Sequence, residues 1–180
     1  MPTTSAPAPA LDRSFVEDFA HRWLDAWNRH DAEGVAALCA PEIEFTDPAI
    51  GTVRGRRAVA DWVRMCDRAF PDFRFEEPES PLPATDRPKA IAPWRMLGTH
   101  TGPIEPPGFA PTDRRFVVDG VDHWWFEEGL VGRYRADYDL AGLMRQLGVL
   151  PERGSRGERA TAALQRLAER VRRARARRRA

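Results

Sequence analysis

Asp122 stands where the sequence pattern calls for an apolar side chain. It lies in the middle of RRFVVDGVDHWWFEEG, residues 114–129, which reads as a strand. Successive strand side chains point to opposite faces, so Asp122 shares a face with Val118 and Phe126. A carboxylate avoids an apolar face unless it is paired or hydrogen-bonded. Asp122 is therefore either a buried acid satisfied by a backbone amide or an arginine, or a polar group of a pocket.

Asp47 repeats this pattern at the end of another strand. In EIEFTDPAIG, residues 42–51, it follows Ile43 and Phe45 on one face, and Pro48 then ends or bends the strand. Aspartate also stabilises turns through its own backbone, so a turn role and a pocket role both fit Asp47. Two aspartates on apolar faces predict one pocket holding both, and a carboxylate there could transfer protons.

His100, in GTHTG, is the third candidate for proton transfer. Strand alternation places it with Trp94 and Met96, and histidine titrates near neutral pH. A satisfied histidine in the core or at the pocket rim fits the same pattern. The sequence has no recognisable metal-ligand spacing, phosphate loop or nucleophile elbow, so we expect no metal and no cofactor.

Aromatic residues would form the walls of such a pocket. Ligand pockets are mostly apolar, with a few placed polar groups. The same residues could simply pack the core. The candidates for substrate binding are Trp23, Trp62, Phe109, Trp124, Phe126 and Tyr134.

Hydrophobic periodicity predicts the elements that position these residues. Helical spacing indicates an N-terminal helix with Ser14 as its cap, a second helix over 32–39 capped by Asp31, and a third over 55–70. Strands are predicted at 42–47, 73–75, 90–102, 114–127 and 130–138, before a short helix that closes at Gly148. This order predicts an α+β domain in which a curved mixed or antiparallel sheet packs against three N-terminal helices as a cone.

Length and composition limit the number of domains and the class of protein. The chain has 180 residues, with 42% hydrophobic and 31% charged, enough for one domain and one core. There is no apolar run of about 18 residues, so we expect no membrane span. Residues 1–11 read as a disordered leader without signal-peptide features. Cys39 and Cys66 fall in helical patterns and indicate reduced thiols in the cytoplasm.

The last 30 residues carry most of the positive charge. Residues 151–180 contain eleven arginines and three glutamates, a net charge of +8, whereas residues 1–150 carry −7. Ala160, Leu164, Leu167 and Val171 recur at helical spacing. We expect a partly helical extension outside a domain of residues 12–150. It is either solvated or docked on an anionic surface or an acidic partner, which includes the acidic domain of this protein itself. The extension has no aromatic residues for base stacking, so nucleic acid is not indicated.

From about Phe15 to Val149 the chain resembles the nuclear transport factor 2-like superfamily, specifically SnoaL-like polyketide cyclases and ketosteroid isomerases. The resemblance rests on five stretches in order: FAHRWLDAWNRHDAEGVAALCAPEIEFTDPAIG, RGRRAVADWV, GTHTG, GVDHWWFEEGLVGRY and LMRQLGV. It implies the cone-shaped fold and a hydrophobic small-molecule substrate. We also expect a homodimer.

The resemblance implies roles for individual site residues. Asp47 falls where ketosteroid isomerases place the aspartate that shuttles the proton, and Asp122 falls where they place a neutral aspartic acid in the oxyanion hole. The tyrosine of that hole falls at Trp23. The indole N–H of Trp23 can donate a hydrogen bond, but it lies at a different distance from the backbone than a tyrosine hydroxyl.

Similarity to cyclases and to limonene-epoxide hydrolases is less complete. Their last-strand aspartate falls at Ala136, with Asp137 one residue away and so on the other face, and the hydrolase arginine falls at Gly120. These differences count against epoxide hydrolysis and against the usual cyclase mechanism. Two hypotheses therefore lead. One is a cofactor-independent isomerase or cyclase acting on a polyketide- or steroid-like carbonyl compound. The other is a noncatalytic ligand-binding or oligomerisation module.

Overall fold

The computed structural model describes residues 11–177, so the predicted leader lies almost wholly outside the described residues. This part of the chain forms five helices: α1 (Arg13–Asn28), α2 (Ala32–Ala37), α3 (Arg56–Ala69), α4 (Leu140–Gln146) and α5 (Arg156–Arg177). The strands are β1 (Cys39–Asp47), β2 (Gly51–Arg54), β3 (Arg74–Glu76), β4 (Leu82–Pro83), β5 (Lys89–Thr99), β6 (Arg115–Glu127) and β7 (Leu130–Tyr138).

The strands form one mixed, curved sheet that does not close on itself. Its order is β2-β1-β7-β6-β5-β3, and β4 pairs with β5. The long strands β5, β6 and β7 are antiparallel neighbours, whereas β1 runs parallel to β7. With the first three helices preceding most of the sheet, this arrangement confirms the predicted α+β class. Glu128 and Gly129, which both have positive φ, form the turn between β6 and β7, in the gap between the predicted strands 114–127 and 130–138.

Helix α1 begins earlier than predicted. Its N-cap is Asp12, whose carboxylate accepts the Ser14 amide at 2.8 Å, so the Ser14 cap was wrong. A carboxylate two residues before the amide satisfies one of the free N–H groups that every helix start leaves. The cap predicted at Asp31 is confirmed, because its carboxylate accepts the Gly34 amide.

Cys39 is not helical. Helix α2 ends at Ala37, and Cys39 opens β1 opposite Val131 of β7. Pairing between distant strands overrides the local helical pattern here. Burial raises the pKa of the Cys39 thiol to about 12, and Cys66 is likewise buried and free.

The core lies between the sheet and α1 and α3. Helix α1 buries Phe19, Trp23 and Trp27 at four-residue spacing, and α3 buries Val59 and Val63. Their packing forms a single cluster with the inward side chains of β1, β5, β6 and β7. Within residues 11–177, none of the helices combines the length and hydropathy needed to cross a membrane.

Candidate functional site

Both aspartates line one cavity of about 630 Å³. Its walls come from α1, α3, α4, strands β1 to β3 and strands β5 to β7, and a loop containing Ile104 and Phe109 forms one side. Most of the lining side chains are apolar, so two buried carboxyl groups are its most unusual feature. Asp122 is 4% exposed and Asp47 is 6% exposed.

Three hydrogen-bond donors meet at Asp122. Trp94 Nε1 and Tyr134 OH both donate to Oδ1, each at 2.7 Å. Trp23 Nε1 donates to Oδ2 at 3.1 Å. The donors come from β5, β7 and α1, so the site depends on the sheet register and on the seating of α1. No arginine within residues 11–177 takes part, and Asp122 is satisfied by indole and phenol groups.

Burial raises the pKa of Asp122 to about 7. Hydrogen bonds from Tyr134, Trp94 and Trp23 oppose this shift, and the charge of Asp47 adds to it. Two donors occupy both lone pairs of Oδ1. A proton on Asp122 must therefore sit on Oδ2, where one position remains free beside the Trp23 indole. The neutral acid could use that O–H as a donor.

Asp47 has one engaged oxygen and one free oxygen. Oδ1 accepts the Ala49 amide at 2.7 Å and the Tyr138 hydroxyl at 2.9 Å. Oδ2 makes no hydrogen bond with any residue in the described part of the chain. Burial raises the pKa of Asp47, and the bonds from Ala49 and Tyr138 oppose the shift. Asp47 thus holds a turn and lines the cavity at once, and its Oδ2 could accept a proton.

Two aromatic residues link the aspartates. Tyr138 bonds Asp47, Trp94 bonds Asp122, and the centres of their rings are 5.7 Å apart. Neither residue was predicted from the sequence to be part of the site. Alternation along β7 does put Tyr138 on the face of Tyr134, so that position could have been found. Trp94 packs over Gly120, which lies opposite it on β6 and has no side chain to obstruct the ring.

The aromatic candidates divide into two groups. The cavity is lined by Trp23, Trp62, Phe109, Trp124 and Tyr134. Phe126 is not part of the lining. It packs in the core against Phe15 and Phe19 of α1, with ring centres 5.2 and 4.8 Å away. Phe126 stays on the buried face of β6 that Asp122 and Trp124 share, but the cavity does not extend as far as this residue.

His100 lies outside the cavity lining. His100 follows Thr99, the last residue of β5, and stays on the buried side of the strand pattern. The ring is fully buried beside Phe70, and Nδ1 contacts Thr112 Oγ1 at 3.1 Å. Burial lowers the pKa of His100, which makes it the neutral partner of a loop threonine.

Asp137 faces away from Asp122. Ala136 is directly opposite Asp122 in the β6–β7 register, and the pairing is regular around that point. Asp137 instead lies 3.1 Å from His123 Nε2, on the other face of the sheet. No bulge returns Asp137 to the cavity. Among residues 11–177, no cluster of histidine, cysteine, aspartate and glutamate could hold a metal ion.

Comparison with known proteins gives the family. Residues 20–134 match the family model described as the SnoaL-like domain. No curated protein is significantly similar to the chain. TsrD from Streptomyces laurentii is 29% identical, with a TM-score of 0.65 over 78% of this chain and 99% of TsrD.

Two further solved structures share the fold. A candidate polyketide cyclase from Pseudomonas putida is 14% identical, with a TM-score of 0.64 over 73% of this chain and 97% of its own. A protein with the ketosteroid isomerase-like fold from Catenulispora acidiphila, solved in complex with trimethylamine, is 19% identical. Its TM-score is 0.61 over 73% of this chain and 92% of its own.

Proposed function

Because the chain belongs to the SnoaL-like domain family, we propose that its cavity binds an apolar carbonyl compound and moves a proton next to the carbonyl group. The reaction would isomerise or cyclise a polyketide- or steroid-like substrate without a cofactor. One observation carries this proposal: two carboxyl groups with raised pKa values share a cavity that is otherwise largely apolar. The candidate polyketide cyclase with this fold supports the substrate class.

The two aspartates take different roles. Oδ2 of Asp47 removes a proton from the carbon beside the carbonyl group, and the C–H electron pair forms the enolate. Protonated Asp122 donates from Oδ2 to the developing oxyanion. Asp47 then returns the proton to another carbon. In a cyclisation, the enolate carbon instead attacks a second carbonyl carbon, and the oxygen of that carbonyl takes the proton back from Asp47. Tyr138 holds Asp47 in place, and Trp94 and Tyr134 fix the opposite oxygen of Asp122.

A noncatalytic ligand-binding module is the second candidate. It is favoured by Trp23 at the tyrosine position and by Ala136 at the position of the last-strand aspartate. Both functions need an occupied cavity, and they differ in whether Asp47 exchanges a proton with the ligand. Epoxide hydrolysis is less well supported, because Gly120 cannot supply the arginine and Asp137 pairs with His123 on the other face.

Filling the cavity should block ligand binding. Val118 lines the cavity and is 6% exposed, whereas its neighbour Val117 is on the opposite face and 50% exposed. A panel of polycyclic ketones should contain compounds that raise the melting temperature of the wild-type protein, because they bind only the folded state. We expect Val118→Phe to lose that stabilisation and Val117→Phe to keep it. Equal ketone-induced shifts in the two folded variants would place the ligand elsewhere.

A further inference from the structure

Helix α5 leaves its apolar side chains in solvent. None of its 22 residues is buried. Leu164, Leu167 and Val171 are 67%, 58% and 44% exposed, and all three lie on one stripe. The helix is nevertheless well started, since Ser155 Oγ accepts the Glu158 amide and Glu158 Oε2 accepts the Gly154 amide. A capped N-terminus and an exposed apolar stripe indicate a helix that packs against another molecule.

The spacing of the stripe is that of a coiled-coil seam. Ala160, Leu164, Leu167, Val171 and Ala174 are separated by four, three, four and three residues. This is the alternation of a and d positions in a heptad repeat. The stripe is also narrow, because alanines and arginines flank it. Helices that lie in a membrane surface typically present a broader face with Trp or Phe, and α5 has no aromatic residue.

The charges that flank the stripe argue against its pairing with α5 of a second copy of this protein. With Leu164 at an a position, Arg170 and Arg177 occupy g and Arg175 occupies e. In a parallel pair, Arg170 of one copy would face Arg175 of the other. The nearby Glu169 is on the outer face and is bound to Arg172 and Arg173. Self-pairing would therefore bring like charges together.

We propose that α5 is a docking helix for a partner protein that supplies an acidic amphipathic helix. Apolar a and d residues of the partner would cover Leu164, Leu167 and Val171. Its glutamates or aspartates at e and g would pair with Arg170 and Arg175. This interaction is independent of the cavity and of the proposed proton transfer.

Synthetic peptides test the proposal on the full-length protein. Two peptides of about three heptads carry leucine at a and d, with glutamate at e and g in one and lysine in the other. We expect the glutamate peptide to bind at least tenfold more tightly than the lysine peptide in fluorescence anisotropy. Binding should weaken when ionic strength rises from about 0.05 M to about 0.5 M.

Matched variants separate the seam from overall charge. Leu164→Asp/Leu167→Asp should lose binding of the glutamate peptide at least tenfold. Ala162→Asp/Gln165→Asp adds the same charge to the outer face of α5. At equal ionic strength, its affinity for the glutamate peptide should stay within about threefold of the wild-type affinity. Arg170→Glu/Arg175→Glu should shift the preference to the lysine peptide. Circular dichroism checks that each variant keeps its helix content.

Three results would overturn the proposal. The first is equal binding of the two peptides, or no binding of either. The second is a dimer in sedimentation that Leu164→Asp dissociates, which would make a second copy the occupant. The third is tighter binding to vesicles of phosphatidylcholine and phosphatidylserine than to the glutamate peptide, which would make α5 a membrane-surface helix.

Discussion

Asp122→Leu is expected to destabilise the protein by about 3 to 6 kcal/mol in urea unfolding. The substitution leaves the N–H groups of Trp23 and Trp94 and the hydroxyl of Tyr134 without their acceptor. Each buried donor left unsatisfied costs about 1–3 kcal/mol, and partial rearrangement keeps the sum below the maximum. The cost should be lower above neutral pH. The raised pKa of Asp122 contributes to the stability of the wild-type protein. This contribution is fully present below about pH 4 and is lost as pH rises through about 7.

Asp122→Asn is the graded control for this site. Its Oδ1 can still accept from Trp94 and Tyr134, but its amide nitrogen cannot accept from Trp23. We expect a cost of about 1–3 kcal/mol, which Trp23→Phe should relieve in the Asn background by removing the unpaired donor. Equal stability of Asp122→Leu and Asp122→Asn would show that the three-donor network does not hold the fold. The same conclusion would follow if Trp23→Phe cost the same in the wild-type and Asp122→Asn backgrounds.

Gly120→Ala should destabilise the protein by about 2 to 5 kcal/mol and weaken ketone binding. The new Cβ would overlap the six-membered ring of Trp94, so the indole must leave its place over β6. Overpacking of this kind costs about 1–3 kcal/mol, and the lost bond from Trp94 to Asp122 adds a further cost of similar size. Urea unfolding and ketone-induced thermal shifts measure the two effects.

Gly132→Ala on the neighbouring strand is the matched control. Its Cβ would meet only the end of the flexible Glu127 side chain, which can move aside, so we expect a cost below about 1 kcal/mol. A second comparison is Gly120→Ala in a Trp94→Ala background, where the clash is gone and the two costs should not add. Additive costs would show that Trp94 is not what the glycine accommodates.

The sequence was sufficient for the parts of the site that follow strand alternation. Asp47 and Asp122 could be assigned to apolar faces because a strand has a fixed two-residue period. Trp94 could not be connected to Asp122 in that way, because the contact depends on which residues of β5 and β6 are opposite each other. His100 and Phe126 illustrate the reverse. Both are buried, as alternation predicted, but alternation cannot show how far along a strand the cavity extends, and neither residue lines it.

The helices show a similar division. The apolar stripe of α1 was readable from spacing, but its start was not, because Ser14 and Asp12 are both good caps and only the backbone geometry selects Asp12. Cys39 was assigned to a helix because local spacing cannot register its pairing with β7. The short strands β2 and β4 were missed, since four and two residues carry too little pattern to recognise.

Proton exchange from a bound ketone is the most direct test of the proposed function. A ketone that raises the melting temperature is incubated in D2O, and NMR follows deuterium uptake beside its carbonyl group. Asp47→Asn should keep the acceptor for Ala49 and Tyr138 and so keep the fold and the thermal shift. Asp72→Asn is the control, because Asp72 also accepts a backbone amide, that of Thr99, but is exposed and does not line the cavity.

We expect the wild-type protein and Asp72→Asn to accelerate exchange over buffer, and Asp47→Asn to lose roughly 100-fold or more of that acceleration. Wild-type exchange no faster than in buffer, or equal exchange in wild type and Asp47→Asn with the thermal shift retained, would contradict the assignment of Asp47 as the base.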